Sequence, residues 1–141
     1  MKPSRLVRTV LAPLVFSSVL SLAGCASTFT MVPDASVPFS KGEVSASFKD
    51  NGNGHMVVKV EHLGDPKKIS SSATTYVVWV KPSKEGAEPI NVGALKVGSD
   101  EAGELEFTTP YRSFELSITP EAAADAAKPT GKELLKTGVS G

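Results

Sequence analysis

TTYVVWVKPSKEGAEPINVGALKVGSDEAGELEFTTPYRSFELSITP, residues 74–120, is the stretch on which the fold turns. Four short runs within it, 75–81, 90–97, 104–109 and 113–119, are rich in β-branched and aromatic residues, and turn residues separate them. That pattern predicts an antiparallel β meander. In the first run Tyr76, Val78 and Val80 point one way while Val77 and Trp79 point the other. Apolar residues on both faces predict a central strand covered on both sides. Trp79 is the only tryptophan, and its size makes it the expected centre of the core. In the second run Gly93-Ala94 interrupts the alternation, which predicts a bulge. The last run alternates cleanly, with Phe114, Leu116 and Ile118 on one face and Ser113, Glu115, Ser117 and Thr119 on the other.

Upstream, 43–49 places Val44, Ala46 and Phe48 on one face and Glu43, Ser45, Ser47 and Lys49 on the other. Asp50-Asn51-Gly52-Asn53-Gly54 follows, and Asn and Gly tolerate the positive φ that tight hairpin turns need. The return strand is 55–63, with Met56, Val58 and Val60 sharing a face. Residues 64–73 are a polar connection, long for a hairpin, that is expected to cross between sheets or to span an edge. Downstream, the Ala-rich 121–127 is expected to form a helical turn or two, and Leu134, Leu135 and Val139 could supply a last edge strand. The total is six strands or seven. With no helix long enough to cover a sheet, two sheets must cover each other, so the expected fold is all-β, an immunoglobulin-like antiparallel β-sandwich.

The N-terminus has its own pattern. Lys2, Arg5 and Arg8 precede an apolar run, 10–23, broken only by small hydroxyls and Pro13. This is the pattern of a secretory signal peptide over 1–24. A membrane-spanning helix needs about 20 apolar residues and is not expected here. The run ends in Leu22-Ala23-Gly24-Cys25, which resembles the lipobox of bacterial lipoproteins. The resemblance implies cleavage after Gly24 and acylation of Cys25, with diacylglycerol and palmitate as the anchor. Two or more acyl chains hold a protein on a membrane stably, whereas one binds only marginally. Cys25 is the only cysteine, so no internal disulfide can use it. Ala26 follows, which leaves the outer membrane, facing the periplasm, as the expected location in a two-membrane cell. Residues 25–41 are expected to be a lipid anchor and extended tether, and 42–141 the sandwich. The mature chain carries 12 basic and 15 acidic residues, a net charge of −3, which offers no basic patch for nucleic acid.

From Tyr76 to Gly138 the chain resembles the extracytoplasmic C-terminal domain of anti-sigma-K factors. The matching features are Tyr76, Val78-Trp79, the polar loop 82–89, the small-Gly-apolar stretch 91–95, the strand 114–119, Pro120-Glu121 and Pro129-Thr130-Gly131. The family usually has Glu before Pro and then a Gly-rich loop, whereas this chain has Pro-Glu and an Ala-rich one. The resemblance implies an extracytoplasmic sandwich. It does not imply sigma-factor inhibition, because the cytoplasmic domain and membrane helix that serve that role in the family have no counterpart here.

No chemistry stands out. His55, Met56 and His62 are potential copper ligands, but period two sends His55 to the opposite face from the other two. The 50–54 turn lacks the distal bidentate Glu of a calcium loop. Asp100, Glu101, Glu104 and Glu106 read as a solvated face rather than paired catalytic carboxylates. Tyr111 and Arg112 mark a corner, by analogy with the tyrosine corner of immunoglobulin domains. The expectation is therefore a non-catalytic, lipid-anchored envelope module with no cofactor and an envelope protein as partner. It would bind through the 82–89 loop or the 98–103 turn. The alternative is a ligand- or metal-sensing envelope stress domain.

Overall fold

A computed structural model describes residues 25–141. The expected signal peptide, residues 1–24, with Leu22, Ala23 and Gly24 of the expected lipobox, lies outside the described residues. The chain forms β1 (Ser27–Thr30), β2 (Val32–Pro33), β3 (Lys41–Phe48), β4 (Gly54–Glu61), a one-turn helix α1 (Pro66–Ile69), β5 (Thr75–Pro82), β6 (Ile90–Leu95), β7 (Gly103–Thr109), β8 (Ser113–Glu121) and β9 (Leu135–Ser140). All pairings are antiparallel. One sheet has the order β1-β3-β4-β7 and the other β2-β9-β8-β5-β6. Lettered A to G in chain order, β3–β9 give an A-B-E sheet and a D-C-F-G sheet. This is an immunoglobulin-like sandwich whose fourth strand has moved to the C-F-G side.

The alternating residues of the two sheets meet in the middle. Val44, Ala46, Met56, Val58 and Val60 from one sheet face Tyr76, Val78, Val80, Phe114, Leu116 and Ile118 from the other, and all are buried. Cross-strand neighbours keep like with like, as in Val44 beside Val58 and Val78 beside Ile118. The expected bulge lies in β6 opposite Val78 and Trp79, and Gly93 there has φ +144°.

Three expectations need correction. The 74–120 stretch is not a meander. β5 pairs with β6, but β7 joins β4 in the other sheet and β8 returns to β5. Alternation sets which face of a strand is buried, not which strand lies beside it. Residues 26–41 are not a tether: 27–33 are extended and paired, and 34–40 turn back to β3. β1 pairs with β3 and β2 with β9, so one segment crosses from the edge of the first sheet to the edge of the second. Met31, at the crossing, is 2% exposed and sits against Gly42, where any Cβ would meet its sulfur. This segment raises the strand count among the described residues to nine. It carries too few alternating positions on either sheet to be read as a strand. Finally, 121–127 is not helical, and the single helix among the described residues is α1 in the 64–73 connection. Asp65 caps it by accepting from the Lys67 amide at 2.9 Å, with Pro66 in the first turn.

Candidate functional site

The sandwich has two ends. The β3–β4 turn, the 83–89 loop and the 110–112 corner lie at one, and the 62–74, 96–102 and 122–134 connections lie at the other. The two loops expected to bind therefore point in opposite directions. At the first end the structure joins two features that the sequence treated separately. The 83–89 loop and the 110–112 corner form the walls of an open cleft of about 550 Å³. Pro82, Ile90, Pro110 and Tyr111 supply its apolar surface, and Lys84, Glu88 and Arg112 its charges. The Ser83 amide donates to the Ser113 carbonyl at 3.0 Å, and the Ser113 and Ser83 hydroxyls are 3.1 Å apart, which pins the walls together. Tyr111 is 38% exposed and Ile90 41%. Tyr111 is thus not the phenol of a tyrosine corner; the corner is held by its amide, which donates to Thr109 Oγ1 at 3.3 Å. Arg112 lies over the ring of Phe48, 5.2 Å from its centroid, where a cation is attracted to the ring face.

At the second end the 98–102 turn is closed by Gly98 and Ala102 and tied to the β4 end by the Leu63 amide, which donates to the Glu101 carbonyl. The Tyr76 hydroxyl reaches this end and donates to the Gly64 carbonyl at 2.6 Å. Burial, with Asp65 and Glu101 nearby, pushes its pKa up to about 12. A smaller cleft, about 420 Å³, opens among Asp65, Lys68, Ser99 and Glu101.

The most constrained polar cluster is on the outer face of the second sheet. Trp79 is fully buried there, not in the inter-sheet core, because its side chain leaves β5 on the opposite face from Val78 and Val80. A strap, residues 122–131, covers this outer face. Asn91 Nδ2, on the β6 side of Trp79, donates to the carbonyls of Ala124 and Ala126 at 2.9 and 3.0 Å. On the β8 side, Trp79 Nε1 donates to Thr119 Oγ1 at 2.8 Å, and Thr119 Oγ1 donates to Glu121 Oε1 at 2.6 Å. Glu121 also accepts from the Thr130 amide, the Thr130 hydroxyl and the Gly131 amide. Glu121 is only 1% exposed. Burial pushes its carboxyl pKa up, but the bonds from Thr119, Thr130 and Gly131 outweigh that, and the net shift is downward. Sequence reading missed this clasp. Glu121 continues the polar face of the alternating strand, so the available signal was only that face's run of Ser117, Thr119 and Glu121 followed nine residues later by Thr130-Gly131.

The other candidates stay apart. Met56 is core, His55 is 3.9 Å from Glu106 on the solvent face, and His62 lies past the end of β4 with φ +56°. Glu104 pairs with Lys59 at 3.4 Å. Asp100 and Glu101 remain in the turn. Among the described residues no three His, Cys, Asp or Glu side chains gather as metal ligands. Cys25 is exposed, two residues ahead of β1. Among the described residues no helix is long and apolar enough to cross a membrane. A scan against protein-family models finds no match, and a comparison with curated proteins finds no significant similarity.

Proposed function

We propose that this protein is a bacterial lipoprotein, held in the cell envelope by acylated Cys25, whose sandwich is a non-catalytic interaction or structural module. The observation that carries the reading is the position of Cys25. It follows a signal-peptide pattern and Leu22-Ala23-Gly24, it is exposed, and a fully paired domain starts two residues later. Exposed side chains without regular pairing are concentrated in the end loops, where sandwich domains bind partners. Cys25→Ala should abolish incorporation of labelled palmitate and block cleavage after Gly24. A Cys25→Ala protein that is cleaved as the parent is would sink the lipobox reading. Crosslinking in living cells, followed by replacement of 83–89 and of 98–102 in turn, identifies a partner and the end that holds it. A single partner lost with neither replacement would remove the end loops from the proposal.

A second reading, a sensing domain related to the anti-sigma-K family, draws on the clasp. The Pro120-Glu121 and Pro129-Thr130-Gly131 features that carry the resemblance are brought into contact by the Glu121 carboxylate. A rise in melting temperature specific to one metal or small molecule, with no captured protein, would favour it.

A further inference from the structure

The lipid-anchor reading leaves open which way the domain faces, and the strand register supplies an answer. β1 runs antiparallel to β3, with Ser27 opposite Ala46 and Thr30 opposite Glu43. Going back from Ser27 therefore leads toward the Phe48 end of β3. Only Ala26 separates Ser27 from Cys25, and two extended residues span at most about 7 Å. Continuing the register puts Cys25 level with Phe48. Phe48 pairs with Gly54, and Gly54 with Thr109, so this is the end that carries the 49–53 turn, the 110–112 corner and the 83–89 loop. Residues 27–33 are bonded into both sheets, so no flexible tether follows to let the domain reorient.

We infer that this end of the sandwich rests against the lipid headgroups of the membrane that holds the anchor, and that the opposite end is the one presented to an envelope partner. The inference rests on the acylation of Cys25. The side chains at the anchored end suit a headgroup layer. Tyr111 is amphipathic and exposed, Ile90 is an exposed apolar residue beside it, and Lys84 and Arg112 have long stems that carry their charge outward. The Arg112 guanidinium, held over Phe48, stands level with the acylated residue, within reach of lipid phosphate. Lys49, Lys84 and Arg112 are matched by Asp50, Glu85 and Glu88, so the contact does not depend on anionic lipid. At the far end the 98–102 turn and the 62–74 connection project away from the bilayer. The cleft between the 83–89 loop and the corner is thereby a lipid-facing surface, and a soluble partner meets the 98–102 side.

The test uses the acylated protein in phosphatidylcholine vesicles. Acylation occupies the Cys25 thiol, so Ser83→Cys or Ser99→Cys each provides one thiol for an environment-sensitive fluorophore. Asn51→Cys is a second site at the anchored end. Headgroup-spin-labelled lipid should quench labels at 83 and 51 several-fold more than a label at 99. Equal quenching, or stronger quenching at 99, from a protein that floats with the vesicles would overturn the orientation and leave the anchor intact. Equal flotation of a Cys25→Ala chain beginning at residue 25, which carries neither acyl chain nor signal segment, would overturn the anchor itself and the orientation with it.

Discussion

Glu121 and Trp79 show how a charged residue can be fixed by its surroundings. The Glu121 carboxylate is buried yet accepts from a hydroxyl on its own strand and from two amides and a hydroxyl of the strap, so its charge is solvated by the protein. Removing it as Glu121→Ala leaves those donors without a partner in a dry site, at a cost of at least about 2 kcal/mol. Because the folded state holds this carboxyl below its ordinary value of 4.5, the clasp's contribution is complete above that pH and is lost as pH falls below it. Asp34 adds to the same acid limb. Its ion pair with Lys132 at 2.7 Å, and the bonds from Ser36, hold its carboxyl well below the usual range. Urea titrations at pH 7 and pH 3 should therefore show a smaller acid loss in Glu121→Gln than in the parent; an unchanged loss would assign the acid limb elsewhere. Trp79→Ala should cost about 3–5 kcal/mol, as for a large buried aromatic. A loss below about 1 kcal/mol would mean that the strap closes over the gap or that the ring is dispensable. The burial of Trp79 was legible from the sequence. Its side of the sheet was not, because an alternating strand looks the same whichever face meets the other sheet.

Among elements, the strap differs most from its sequence reading. Its alanines suggested helix, yet seven residues make few intrahelical bonds, and propensity alone does not sustain so short a helix. Tertiary bonds win instead. Asn91 takes two strap carbonyls and Glu121 takes the Thr130 and Gly131 amides, so the segment lies flat over Trp79. Gly131 is required by this approach, since a Cβ there would fall on the Pro120 carbonyl oxygen. Gly131→Ala should lift the strap from the sheet. The expected readout is a red shift in Trp79 fluorescence and faster exchange of the Thr130 and Gly131 amides, with the inter-sheet core still protected. Native fluorescence and exchange would mean that the backbone yields locally at little cost. By contrast, β3, β4, β5 and β8 were read to within a few residues at each end. Their signals are local: alternation for the strands and Asn-Gly chemistry for the 49–53 turn, where Gly52 has φ +87° and Asn51 Oδ1 accepts from the Asn53 amide. The strap and α1 depend on partners far away in sequence or on a single cap, which no periodicity reports.

On the scale of the whole molecule, the sandwich class followed from counting strands and finding no helix to cover them. The pairing order did not, because β6 to β7 and β7 to β8 are crossings between sheets whose connections look like ordinary turns. The domain boundary was also displaced, and this has a measurable consequence. Residues 25–41 show no sustained periodicity, yet they supply Met31 and Val37 to the core, cover the β3 and β9 edges and contribute the Asp34–Lys132 pair. A chain beginning at Gly42 loses all of these together. Deleting a buried methionine side chain alone costs about 2–5 kcal/mol, a large share of the roughly 5–15 kcal/mol that holds a typical domain together. It also uncovers two strand edges, and open edges recruit other chains. The 42–141 fragment should accordingly unfold at a much lower urea concentration than 25–141 and associate as its concentration rises, as followed by sedimentation. A monomeric fragment with the same midpoint and slope would return residues 25–41 to the role of a tether. The anchored end would then be free to swing away from the membrane, so this measurement also bears on the orientation inferred from the register of β1.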